Sequence, residues 1–292
     1  MTKLHVGAHL DRPPGPKYLS QLCFAEFGLP NVMPKVATLR KWRAGLPEEL
    51  KLSAVAPRST RYGAMGPLQI EDDALSERIA HLRDAAKALK LCALVIPTGP
   101  EVSTGQRDRD RLSRYFERLR EERLGEDTPL VWSAGGLWEP EMAQPFAKKL
   151  GVICSFDPLS GQRTPSCQPA YVRLRTIGGR TRFTEGMLWE AASALVQCIS
   201  DTVYVAIESP RSFKEACLLH RLIVEFAEPP ERSELDDGAC LFSPRFEVAE
   251  NSEDELDCED GFDDEDEFDD EDEDETEFEA ELRHGNSART ID

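Results

Sequence analysis

The stretch that decides the fold runs from Leu75 to Pro97. In its first part, Leu75-Ser76-Glu77-Arg78-Ile79-Ala80-His81-Leu82-Arg83-Asp84-Ala85-Ala86-Lys87-Ala88-Leu89, the apolar residues Leu75, Ile79, Leu82, Ala86 and Leu89 recur at spacings of four, three, four and three. That spacing draws one apolar stripe along an α-helix. Asp72 and Asp73 supply a cap and negative charge at its start. The period then changes: Leu91-Cys92-Ala93-Leu94-Val95-Ile96 is an unbroken apolar run, stopped by Pro97. A strand apolar on both faces belongs in a sheet covered on both faces, as parallel sheets are. An amphipathic helix feeding such a strand is the repeating unit of an α/β fold.

The same beat extends in both directions. Upstream, Leu4–Gly7 reads as a first strand, Tyr18–Phe27 as a helical segment, and Asn31–Met33 as a weak second strand. Val36–Ala44 reads as a helix with Leu39 and Trp42 on one side, and Leu50–Ala56 as a strand that Pro57 ends. Downstream, Asp108–Glu122, Pro140–Leu150, Thr184–Ile199 and Ser212–Phe226 read as helices, and Pro129–Ser133, Gly151–Phe156, Ala170–Leu174 and Thr202–Ile207 as strands. Thr184 with Glu185 suits a helix start, and Ser212 with Glu215 has the spacing of a capping box. About eight strands alternating with helices predict a parallel sheet, closed as a TIM-like (β/α)8 barrel, with an open doubly wound sheet as the alternative.

The charge is distributed very unevenly. Of the 55 acidic residues, 23 lie between Glu247 and Glu281, a stretch without Lys or Arg. Setting aside these, Asp292, Arg283 and Arg289, residues 1–246 hold 31 acids and 33 bases, so the body is close to neutral although the chain carries −20. The expected organisation is a barrel over 1–228, a linker with some local packing over 229–249 that begins at Pro229-Pro230, and a disordered acidic tail over 250–292. Phe262, Phe268 and Phe278 punctuate that tail, so its expected partner is a basic protein. Phosphate repulsion speaks against direct nucleic-acid binding by the tail.

No stretch approaches the roughly 18 apolar residues that span a bilayer, and the opening Met1–Val6 runs straight into strand-like sequence. The expected setting is therefore the cytoplasm, without membrane contact. Eight cysteines are scattered without a Cys-x-x-Cys pair, and the five histidines form no helical ligand pair, so no metal site and no cofactor are expected. Walker loops, Gly-x-Gly-x-x-Gly, Gly-x-Ser-x-Gly and His-Glu-x-x-His motifs are absent.

Three segments in order carry a family resemblance. Ala170-Tyr171-Val172-Arg173-Leu174 is followed by a Gly-rich turn, a Phe and a helix containing Trp189; Val36–Arg58 contains Leu39-Arg40-Lys41-Trp42 and then Leu52–Arg58; Val131–Trp138 completes the set. Together they resemble the YecE-like barrels of domain-of-unknown-function family 72, over roughly Lys3 to Ile223. The resemblance implies a TIM-barrel fold with a site at the C-terminal ends of the strands. The departures fall at those ends: Val55, Val95, Trp132, Ala134, Gly135 and Arg175 stand where that family has polar or differently charged groups, and its opening motif is reduced to Gly7-Ala8-His9. The family's terminal Asn pair is replaced around Ile207-Glu208. The resemblance thus implies a retained scaffold with a rewritten site.

The polar residues expected at the mouth are His9, Arg58, Asp157, Arg173, Arg175 and Glu208. Arg58 and Arg173 together suit a phosphate or carboxylate; alternatively Arg173 pairs with Asp157 or Glu208 inside the barrel. Asp157 and Glu208 suit either acid–base work or turns and helix starts. Gly178 and Gly179, ahead of Arg180, suit either phosphate binding through backbone amides or a plain basic turn. Trp132 reads as core and Trp138 as a ligand contact. The function expected is a non-catalytic or degenerate binding or scaffold barrel with an acidic interaction tail. The alternative is an enzyme acting on a phosphorylated or otherwise anionic small molecule.

Overall fold

The computed structural model describes residues 2–57, 60, 73–160, 169–176 and 181–227. The chain divides into two units, Met1–Arg232 and Ser233–Asp292. The second unit, with the linker and acidic tail read from the sequence, lies outside the described residues.

Eight parallel strands are β1 (Lys3–Leu10), β2 (Phe24–Gly28), β3 (Lys51–Val55), β4 (Ala93–Pro97), β5 (Leu130–Ser133), β6 (Ile153–Cys154), β7 (Ala170–Arg175) and β8 (Thr202–Glu208). They pair in the order β6-β5-β4-β3-β2-β1-β8-β7. A single bridge between Phe156 and Val172 brings the two outer strands together. There the Phe156 N–H donates to Tyr171 O and the Arg173 N–H to Phe156 O, each at 3.1 Å. The result is a TIM-like barrel, and the open-sheet alternative does not apply.

The helices are α1 (Pro16–Leu19), α2 (Val36–Ala44), α3 (Asp73–Leu89), α4 (Gln106–Glu121), α5 (Pro140–Leu150), α6 (Glu185–Val196) and α7 (Ser212–Ala227). Leu75, Ile79 and Leu82, the stripe read from the sequence, are fully buried. No helix among the described residues is long and apolar enough to cross a membrane.

Two local expectations are corrected. The second strand is Phe24–Gly28, not Asn31–Met33, and the helix before it is a single turn. Phe24, Ala25, Glu26 and Phe27 are all buried, as a strand covered on both faces must be. Tyr18 fixes the short crossover: its hydroxyl donates to Phe24 O at 2.6 Å and accepts from the Ala8 N–H at 2.8 Å. The Ser212–Glu215 capping box also does not form. The Glu215 carboxylate instead accepts from the Phe183 N–H at 2.8 Å and from the Ser209 hydroxyl, while Ser212 donates to His9 O. Thr184 does cap α6, accepting from the Met187 N–H.

The core has two layers. A large cluster lies between sheet and helices, and a smaller one of Phe24, Val55, Ala93, Val95, Val131, Tyr171, Tyr204 and Ala206 fills the barrel. Gly7 makes room for the inner layer, since a β-carbon there would lie 2.0 Å from Phe24 O and 2.9 Å from its ring.

Candidate functional site

Strand alternation sends every second side chain of β1, β2, β7 and β8 into the barrel. Glu26 on β2 is fully buried there, and four donors from two strands converge on it. Arg173 on β7 gives its Nη2–H to Glu26 Oε1 at 2.8 Å and its Nε–H to the same oxygen at 3.2 Å. Tyr171 donates its hydroxyl to Glu26 Oε2 at 2.7 Å, and His9 Nδ1 lies 3.0 Å from Oε1. Because Tyr171 gives its proton to the carboxylate, Ser53 Oγ at 2.6 Å donates to Tyr171.

Burial alone would raise the Glu26 carboxyl, but the Arg173 guanidinium and the bond from His9 more than reverse this and hold it at about 2. Burial likewise acts to lower Arg173, and the carboxylates Glu26 and Glu208 overcome it, so the guanidinium is held above its ordinary value. Burial, then the Glu26 charge, pushes the Tyr171 phenol well above its usual range.

The network continues to the mouth. Arg173 Nη2 also donates to Glu208 Oε2 at 2.8 Å, and Arg175 Nε donates to the same oxygen at 3.0 Å. Two guanidiniums therefore face two carboxylates across β2, β7 and β8. The remaining side of the barrel, lined by Val55, Val95 and Val131, is apolar.

Beside this network, a cleft of about 540 Å³ opens at the ends of β1 and β8, with His9, Asp11, Arg12, Thr176, Glu208 and Ser212 on its walls. The structure thus brings His9, Arg173, Arg175 and Glu208 together. Asp157 lies elsewhere: its carboxylate accepts from the Leu159 N–H at 2.9 Å, opening a turn of 3-10 helix at Pro158–Ser160. Trp138 is buried against Trp132 and Phe146, at ring separations of 5.0 and 5.2 Å, with its indole N–H on Val102 O. It belongs to the core and not to a ligand surface. Arg58, Gly178 and Gly179 lie outside the described residues. Glu26 is the central residue that the sequence reading missed; its signal was one carboxylate inside the run Phe24-Ala25-Glu26-Phe27.

No family model and no curated protein matches the sequence. Solved structures do. A DUF72 family protein from Enterococcus faecalis aligns over 76% of this chain and 95% of its own, with 13% identity and a TM-score of 0.58. A second, from Thermotoga maritima, aligns over 76% and 99%, with 12% identity and a TM-score of 0.51. The fold is that of the DUF72 barrels. An IolI protein with a bound zinc atom is also similar, over 77% and 97%, with 12% identity and a TM-score of 0.50. Among the described residues, no group of three or more His, Cys, Asp or Glu is arranged to hold a metal ion.

Proposed function

We propose that this chain is a divergent DUF72-like barrel that binds a small molecule without turning it over, with an acidic tail that engages a basic protein partner. The observation that carries the barrel reading is the mutual neutralisation of Glu26, Arg173, Glu208 and Arg175. A catalytic site keeps charged groups free to meet charge that develops in the transition state. Here the guanidinium best placed to do so is fully buried and bound to two carboxylates.

This arrangement also weakens the enzyme reading. A phosphate reaching Arg173 would have to displace Glu26, a carboxylate already held by four donors. The buried thiol of Cys198 suits a reducing compartment, and the cytoplasm is the setting we assign. The test is a thermal-shift screen of the full chain against inorganic phosphate and phosphorylated sugars, paired with a product assay by mass spectrometry. Unchanged melting and no product count against the enzyme reading. Turnover that disappears in Glu208→Gln overturns the binding reading.

A further inference from the structure

The cleft beside His9 has a polarity that selects a class of ligand. Glu26 is a fully buried carboxylate and can only accept, so the His9 nitrogen 3.0 Å away must be the one that carries hydrogen. Glu26 and Glu208 are already matched by Arg173 and Arg175, and Arg12 on the same cleft offsets Asp11, so an imidazolium would add an unbalanced positive charge. A neutral His9 that gives Nδ1–H to Glu26 turns a bare Nε2 acceptor outward. That nitrogen and Asp11 Oδ1 lie 3.4 and 3.6 Å from where a β-carbon on Gly28 would sit, so two acceptors lie near one another at the strand ends.

The rest of the lining continues the pattern. Both arginines bind Glu208 through Oε2, which leaves Oε1 as a further acceptor. Thr176 directs its hydroxyl proton to Glu208 O and Ser212 to His9 O, both at 3.4 Å, and each keeps oxygen lone pairs. Arg12 is the donor group on the walls, and its charge offsets that of Asp11. The cleft is thus rich in acceptors and close to neutral.

We propose that this cleft binds a small, uncharged, polyhydroxylated molecule, with its hydroxyls donating to His9 Nε2, Asp11 and Glu208. The proposal rests on the binding reading above and adds the ligand class. An acceptor-only anion meets the wrong polarity here, and a cation meets no net charge. A volume of about 540 Å³ suits a ligand of sugar-alcohol size.

The test uses the full chain labelled with nitrogen-15, with the imidazole nitrogens followed by long-range proton–nitrogen correlation and His9 assigned by the signal lost in His9→Gln. The expected spectrum has Nδ1 protonated and Nε2 bare. Xylitol should then shift the His9 Nε2 signal saturably, and Asp11→Asn, on an exposed position, should weaken that effect about tenfold. An Nε2–H tautomer or an imidazolium at neutral pH overturns the proposal, as does a His9 shift produced by sodium phosphate or methylammonium chloride and not by xylitol. New carbon signals from converted xylitol would support the ligand class while refuting the absence of turnover, so the two readings fail separately.

Discussion

Replacing Glu26 by Gln isolates what its charge contributes. The amide keeps the size of the side chain and one oxygen for Arg173, and Tyr171 can turn its hydroxyl to suit, so the main loss is the negative charge opposite a buried guanidinium. Glu208 remains on Arg173, which limits the damage. Holding the carboxyl at about 2 instead of 4.5 corresponds to about 3 kcal/mol at neutral pH. This falls at the lower end of the roughly 3–5 kcal/mol lost when one partner of a buried pair is removed. For a domain of this size the melting temperature should fall by about 6–12 °C. Because the folded-state carboxyl is depressed, its stabilisation is complete above about pH 4.5 and fades as pH falls toward 2. Urea unfolding of wild type and Glu26→Gln, followed by tryptophan fluorescence, should therefore differ by about 3 kcal/mol at pH 7 and converge near pH 2–3. The tail carboxylates are common to both proteins and cancel. A pH 7 difference under about 1 kcal/mol, or one that persists unchanged at pH 3, would refute the reasoning, because the side chain would then act by shape and not by charge.

Other outcomes follow from the same geometry. The double variant Glu26→Leu with Arg173→Leu should recover at least half of the stability lost by Arg173→Leu alone, since a whole ion pair is more easily replaced than half of one; chemical denaturation of the set measures it. Trp138→Ala should cost about 3–5 kcal/mol in the same assay, as expected for a large aromatic lost from a core. Timed iodoacetamide labelling read by mass spectrometry should modify exposed Cys23 well before Cys92, whose thiol burial pushes up to about 12. Capture of a polylysine peptide by the full chain should weaken steeply between low and physiological salt, and removal of residues 250–292 should abolish it.

The sequence made the outer half of the fold legible because its helices bury a stripe against the sheet. Leu75, Ile79 and Leu82 announce α3 directly, and Asp157-Pro158 announces a turn. β2 was hidden because Tyr18, Leu22 and Ala25, at spacings of four and three, can be threaded onto a helical stripe, with Glu26 outside it. A strand inside a barrel tolerates such a carboxylate only when a distant strand supplies the counter-charge. Arg173 lies on β7 and Glu26 on β2, so nothing local signals their meeting. His9, Arg175 and Glu208 were legible as strand-end residues, but the network that unites them depends on sheet closure. Trp138 was misread for a related reason: a Trp beside Gly135-Gly136 looks exposed until the loop folds down. A β-carbon on Gly136, which has φ +67°, would lie 2.7 Å from Pro100 O, so the glycine pair lets that segment close over its own core.

The junction between β6 and β7 gives the barrel a seam. Neighbouring strands elsewhere are joined by ladders, whereas here one bridge at Phe156 carries the closure. Opening along this line breaks the fewest backbone hydrogen bonds, so sub-global fluctuations of the barrel are directed there, and amides on both sides should exchange before those of β1 and β8. The same line is the natural place for relocated chain ends in a circular permutant. A linker from α7 back to β1 would bridge elements that already pack together, while the new ends would fall where the sheet is least continuous. The barrel is in this sense a curved sheet with a latch, and Arg173 of the charged network gives its own backbone N–H to that latch.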